Sequence, residues 1–274
     1  MSSQAEPNEQ TRDRLRQDRQ AEVWACLQAV TDPELDESVI DMNFVTKAYV
    51  DPENRVHIEF RLPTYWCAAN FSFLMADDMR QAVNALDWVE GVSIVLGEHM
   101  YAGKINAGLA SGLSFQETFG PEADGNLDDL RRTFLVKAFQ RRQAALLNHL
   151  IEAGIPPASI VGLTLPELDH LPVDEEGGKL LRRYLERRSA VGTLRSDAPA
   201  FVDTNGAALN ADGLPVYLSG LRRVGVNAEF NGALCRGLLA ARFDLETPFV
   251  PASRTSSKST DTGHGLETRA PELE

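Results

Sequence analysis

Residues 44–62 constrain the fold more than any other stretch of the chain. In Phe44-Val45-Thr46-Lys47-Ala48-Tyr49-Val50 and again in Arg55-Val56-His57-Ile58-Glu59-Phe60-Arg61-Leu62, apolar and polar residues alternate. A period of two sends successive side chains to opposite faces, so each run fits a half-buried strand. Asp51-Pro52-Glu53-Asn54 between them is a turn, and the pair reads as a hairpin. Such a hairpin must bury its apolar face against helices, and the flanking residues supply them. Upstream, Val23, Leu27 and Val30 share one helical face, with Cys26 beside them. Downstream, Phe71, Leu74, Met75, Ala82, Val83 and Leu86 recur at helical spacing, Gly91 ends that element, and Val92–Leu96 reads as a third strand. The order helix, strand, strand, helix, strand predicts a small domain with a three-stranded sheet over residues 19–103.

Residues 104–251 read differently, as a mostly helical region. A long amphipathic helix starts at Leu127, capped by Asn126 and stopped by Gly154. A second helix covers 176–192, and a third covers 226–243. Between these, Asn205-Gly206 and Asp212-Gly213 predict a small hairpin within 201–218. The fold class is therefore α+β. Residues 1–18 and 252–274 hold too few apolar side chains to bury, so both ends are expected to be disordered tails; His264 lies in the second.

Charge narrows the partners. A net charge of -13 leaves no basic face to neutralise phosphates, which excludes nucleic acid. The arginine pairs 131–132, 141–142, 182–183 and 187–188 sit on helices beside acidic residues and suit a protein-binding surface. No stretch approaches the ~20 apolar residues of a membrane span, and the polar first residues contain no signal-peptide run. Three scattered cysteines, Cys26, Cys67 and Cys235, do not make a disulfide framework. A reduced, cytoplasmic protein is expected.

Cys67 is the candidate for chemistry. It follows the second strand and opens a helix, where unpaired backbone N–H groups and the positive end of the helix dipole favour thiolate. The alternative is a small apolar residue packed by Tyr65, Trp66 and Phe71. Thr64 either hydrogen-bonds the sulfur or only ends the strand. Asp32 and Glu34 either supply oxygen ligands near Cys67 or cap a turn. His57 alternates with strand residues and is expected at the surface, whereas His99 is the histidine placed to approach the site. Cys26 and Cys235 fall on apolar helix faces and read as core packing.

The wider pattern resembles the MIP18-type family, also called DUF59 or PaaD-like. Its matching residues are Asp32-Pro33-Glu34, Ser38-Val39-Ile40-Asp41-Met42, Val45, and Leu62-Pro63-Thr64 leading to Cys67. The resemblance implies an accessory, non-enzymatic role in iron–sulfur cluster assembly or metal-centre maturation, with Cys67 as the metal or thiol ligand and Thr64, Asp32 and Glu34 around it. The loop Pro63-Thr64-Tyr65-Trp66-Cys67 departs from the Gly-Cys-Pro of relatives, and its bulk puts metal access in question. Residues 99–143 resemble longer bacterial members encoded near soluble diiron monooxygenases of the propane-oxidising type. That implies a diiron monooxygenase subunit as client metalloprotein, with 104–251 as the client-binding region.

Ligand arithmetic limits the cargo. An iron–sulfur cluster takes four protein ligands, mostly cysteines, and no CxxC is present. A transient cluster or iron would have to be bridged between two chains as a homodimer, completed by small thiols, or shared with a client. Two other readings stay open. A cysteine-dependent hydrolase or transferase would need a histidine oriented on Cys67. A non-catalytic interaction module would not need the thiol at all.

Overall fold

Strands β1 (Val45–Val50) and β2 (Arg55–Phe60) pair antiparallel across the expected turn, with Val50 opposite Val56. The turn closes because the Asp51 carboxylate accepts the backbone N–H groups of Glu53 and Arg55 at 3.0 and 2.8 Å, while Asn54 takes a left-handed φ of 60°. Helix α2 (Ala69–Asn84) then crosses over, and β3 (Gly91–Leu96) lies parallel to β2 with Leu96 beside Phe60. Gly91, expected to end the helix, opens β3 instead. Alternation holds throughout the sheet. Val50, Val56, Ile58, Phe60, Ile94 and Leu96 are buried on one face, while Lys47, Tyr49, Arg55 and Val95 are exposed on the other. Helix α1 (Glu9–Ala29) and α2 pack against this domain's sheet and each other.

The computed structural model describes residues 9–123 and 125–245. Helix α1 reaches back to Glu9, into the stretch expected to be a disordered tail. Residues 1–8 and the expected tail at 252–274, with His264, lie outside the described residues. The expected boundary at 103/104 falls inside helix α3 (Ala102–Ala110). Ile105 and Leu109 of α3 and Phe115 and Phe119 of the short α4 (Phe115–Phe119) belong to the first core. Asn106 explains why α3 stays: its side chain accepts the Leu96 N–H at 2.8 Å and donates to the Leu96 carbonyl at 3.0 Å, completing the end of β3.

The helical region is built on α5 (Leu127–Glu152), with the short α6 (Pro157–Val161) and α7 (Leu165–Asp169), then α8 (Glu175–Arg188) and α9 (Leu214–Phe243). Asn126 caps α5 by accepting from Asp128 N at 2.9 Å, and Gly154 breaks it with φ of 86°. Phe139, Leu146, Leu147 and Leu150 meet Tyr184 and Phe201 in a second core. There the Gln143 amide donates to Val202 O and Tyr217 Oη at 2.9 and 2.7 Å. The expected hairpin shrinks to one bridged pair, Val202 and Ala208. Its second half is the start of α9, because Gly213 is the helix N-cap and Pro215 sits in the first turn, where a missing N–H costs nothing.

Asp36 joins the two cores. Its carboxylate accepts both Nε and Nη2 of Arg142 on α5, at 2.5 and 2.9 Å, and Nε of Arg187 on α8 at 3.1 Å. Arg142 also donates to Glu186 Oε2 at 2.6 Å. The Asp36 and Arg142 side chains are only 4% and 7% exposed, so the pair is effectively out of water. Removing one partner of such a pair strands the other charge. Asp36→Asn, which keeps the side-chain type that tolerates the local φ of 55°, is expected to lower unfolding free energy by about 3–5 kcal/mol in urea titrations. Glu59→Gln, at the exposed pair with Lys47, is expected to cost less than about 1 kcal/mol in the same assay.

Candidate functional site

The loop from β2 to α2 is anchored at one end by Leu62, 1% exposed, and ends at Ala68, the α2 N-cap. Ala68 has no side chain able to cap the helix, and the first-turn N–H of Phe71 is taken instead by Asn70 Oδ1 at 2.8 Å. Cys67 is half-buried at the rim of the first core, and all three cysteines are free. Thr64 Oγ1 lies 3.1 Å from Cys67 Sγ, so the hydroxyl is a hydrogen-bond partner of the sulfur and not merely a strand end. Tyr65 and Trp66 are 52% and 71% exposed. They turn to solvent and do not form the apolar packing around the thiol that would make it a core residue.

His99 is buried beside this loop, but it does not serve the thiol. Its Nε2 lies 2.8 Å from the Cys67 carbonyl oxygen, and its Nδ1 accepts the Tyr101 N–H at 3.2 Å. Those partners assign the proton to Nε2, which donates to the carbonyl. Burial pushes the imidazole pKa below its ordinary value, with Arg242 adding to the effect against the Cys67 hydrogen bond. A neutral ring with both nitrogens engaged shapes the loop and has no free lone pair for deprotonating Cys67. His57 is elsewhere, half-buried on β2, 2.9 Å from Asp51 Oδ2 and stacked on Tyr49.

Asp32 and Glu34 are drawn together by the turn after α1. Asp32 Oδ1 accepts the N–H groups of Glu34 and Leu35 at 2.9 and 2.8 Å, so capping is its visible role. Burial pushes the Asp32 carboxyl up to about 6, against those two bonds. Glu34 Oε1 accepts from Asn231 of α9 at 2.9 Å, and Glu37 pairs with Arg236 of α9 at 2.6 Å. Arg242 reaches the carbonyls of Leu62 and Glu98 at 3.2 and 2.8 Å. The end of α9 therefore spans both the Asp32–Glu37 segment and the Cys67 loop.

This contact brings in Cys235, which the sequence reading assigned to core packing. Burial first, then the nearby carboxylates, push its thiol up to about 11. It packs at the rim of the first core, as Cys26 does from α1. That packing is what its place on an apolar helix face led one to expect. Among the described residues, no three His, Cys, Asp or Glu side chains converge closely enough to hold a metal ion.

A small α+β domain with a half-exposed thiol at a loop–helix junction is the class that fold and site define. Residues 20–94 match the family model of the iron–sulfur cluster assembly proteins, which takes in the second half of α1, β1, β2, the Cys67 loop, α2 and most of β3. The match supports a role in iron–sulfur cluster assembly. Among solved structures, the chain is similar to a domain of unknown function, DUF59, from Bacillus anthracis, with 16% identity and a TM-score of 0.29. That likeness covers 37% of this chain and 99% of the other. No curated protein matches the chain. No described helix is long and apolar enough to cross a membrane.

Thr64 supplies a test of the geometry. A hydroxyl donating to a thiolate stabilises it by about 1.5–3 kcal/mol, the range for bonds to charged groups. In a chain with Cys26 and Cys235 replaced by alanine, Thr64→Val is expected to slow alkylation of Cys67 at neutral pH by about tenfold, the equivalent of ~1.4 kcal/mol. An unchanged rate would show that the hydroxyl only ends the strand.

Proposed function

We propose that the protein is an accessory factor that takes iron or an iron–sulfur cluster as cargo, holds it transiently at Cys67, and delivers it to a client metalloprotein. The observation that carries this reading is the Cys67 thiol, half-exposed, 3.1 Å from Thr64 Oγ1 and just ahead of α2, inside the segment that matches the assembly family. Thiolates are the ligands that iron–sulfur clusters take. Thr64 steadies the sulfur, Asp32 and Glu34 border the site, and His99 holds the loop. The use of both His99 nitrogens counts against a cysteine hydrolase or transferase and for a role without turnover.

The client is a diiron monooxygenase subunit on the strength of the sequence resemblance, and the setting is the cytoplasm. Residues 104–251 are its docking region. Helix α9 supports that assignment. Val226, Phe230, Leu234 and Leu238 recur every four residues, and all are exposed by 40% or more, as is Trp66 beside Cys67. An exposed apolar stripe of this kind is a feature of protein-interaction surfaces. A homodimer sharing one cluster would use the same thiol and the same stripe. A pure interaction module would use the stripe alone.

Cys67→Ala separates these roles. The substitution should cost only ~1–2 kcal/mol of stability, because the site lies at the rim of the core. It is expected to abolish support of client activity in the native host, and iron and sulfide should vanish from anaerobic pull-downs of the full chain. Full activity of this variant would leave only the interaction module standing. Phe230→Asp with Leu234→Asp is expected to weaken client capture by at least ~10-fold with Cys67 alkylation unchanged, since a charge on each rung opposes apolar docking.

A further inference from the structure

The junction between the two cores holds a cleft of about 1410 Å³, walled by α1, the turn after it, α5, α8 and α9. Its walls carry five arginines, Arg141, Arg142, Arg183, Arg187 and Arg222. Arg142 and Arg187 are held by Asp36, and Arg142 also by Glu186. The other three pair with no carboxylate among the described residues. Arg141 is half-buried on α5, whereas Arg183 and Arg222 are exposed and border the cleft from α8 and α9. The Arg142 guanidinium donates to the Arg183 carbonyl at 2.5 Å, which fixes α8 against α5 at this point.

Arg141 differs from the rest. Its Nη2 is shut off from water, yet no hydrogen-bond acceptor meets it. A guanidinium donor in that position has given up hydration with nothing in return. Burial accordingly pulls the Arg141 pKa below its ordinary value, with the Asp36 charge acting against that shift. Asp36 is not free to be the acceptor, because Arg142 and Arg187 take both of its oxygens. Arg80 also has a buried Nε without a partner, but its Nη2 donates to Asp77 at 2.6 Å. A chain of net charge -13 has carboxylates in excess, and none is placed on Arg141. A buried charge left unsatisfied in this way marks a place where an ion or molecule from outside completes the set.

We infer that this cleft binds a compact polyvalent oxyanion of small-molecule size, a phosphate ester or a polycarboxylate, with Arg141 as its inner anchor and Arg183 and Arg222 at the mouth. Guanidinium forks match both kinds of oxyanion in bidentate geometry. A contact at half-buried Arg141 is stronger than one at the exposed arginines, where water and salt screen it. The cleft exceeds the ~300–1,000 Å³ of an ordinary small-molecule pocket, so the anion fills part of it and water the rest. Asp41 and Glu229 line the same cleft. An extended acidic peptide filling it meets those like charges, whereas a compact anion needs only the arginines. The walls come from both cores, so a bound anion ties the assembly domain to the helical region and stabilises the folded chain by mass action.

The test is isothermal titration calorimetry of the full-length protein in metal-free buffer, with inorganic pyrophosphate and with citrate as probes. Saturable binding of at least one is expected, weakening as sodium chloride is raised. Arg141→Gln and Arg141→Ala should each weaken it by about tenfold or more, as loss of a shielded charge-assisted contact requires. Arg183→Gln with Arg222→Gln, at exposed positions, should weaken it by about threefold. Arg195→Gln, outside the cleft, should change nothing. A preference for pyrophosphate assigns the site to phosphate esters, and a preference for citrate assigns it to polycarboxylates. Far-UV circular dichroism of each variant separates lost binding from lost fold; should the Arg141 variants fail to fold, the Arg183 and Arg222 pair decides by itself. The inference is overturned if the wild type binds neither probe, or if the folded variants bind as the wild type does. Binding of a hexaglutamate peptide with neither probe bound assigns the cleft to a protein partner and overturns it equally.

Discussion

The buried carboxylate of Asp36 is the point on which the relative placement of the two cores depends. One side chain takes donors from α5 and α8, and its backbone belongs to the turn that Asp32 caps. Desolvating these groups offsets most of what their attraction gains, so the cluster adds little net stability. What it adds is registration. A displaced α5 or α8 leaves a charge buried without a partner, and no nearby arrangement replaces both bonds of Arg142 at once. The position of α8 sets the second core, the second core seats Leu214 and Tyr217, and those residues aim α9 at the Cys67 loop.

Helix α9 is about 45 Å long at 1.5 Å per residue, and its two halves are held by different forces. The first half packs into apolar side chains. The second half is held over the assembly domain by Leu239 and by polar bonds from Asn231, Arg236 and Arg242. Each such bond has a charged partner, a kind worth about 1.5–3 kcal/mol net when shielded and less where water competes for the same groups. Close approach is possible at Gly232, where a Cβ would come within 3.3 Å of the Glu37 carboxylate. A helix end fastened this way is firm enough to orient a side chain and is separable from the domain at modest cost.

Local signals carried the sequence reading where they were sufficient. The hairpin was legible because alternation and the Asp51–Asn54 turn agree, and α5 because Asn126 and Gly154 mark both its ends. The start of α9 was not, since Asp212-Gly213 before Leu-Pro suits a hairpin turn as well as a helix entry. Extension of the first core into α3 and α4 depends on Asn106 reaching a strand end, which no periodicity reveals. At the site, the sequence left open whether Thr64 bonds the Cys67 sulfur or only ends the strand, because that depends on how the loop folds back. His99 was the likelier histidine to approach Cys67 on its position after β3, but the sequence held no sign that both its nitrogens would be spent on backbone groups.

The absence of a base for Cys67 and the shortage of ligands around it have a common consequence. A nucleophilic cysteine needs a group that removes its proton on every turnover, and the nearest ring has no nitrogen to spare. A resident cluster needs four protein ligands, and no three metal-binding side chains converge among the described residues. In the carrier role proposed for Cys67, incomplete coordination is an advantage. Under the proposed function, cargo leaves when a client offers more ligands than the carrier does, so the free-energy difference driving transfer grows as the carrier's own ligand set shrinks.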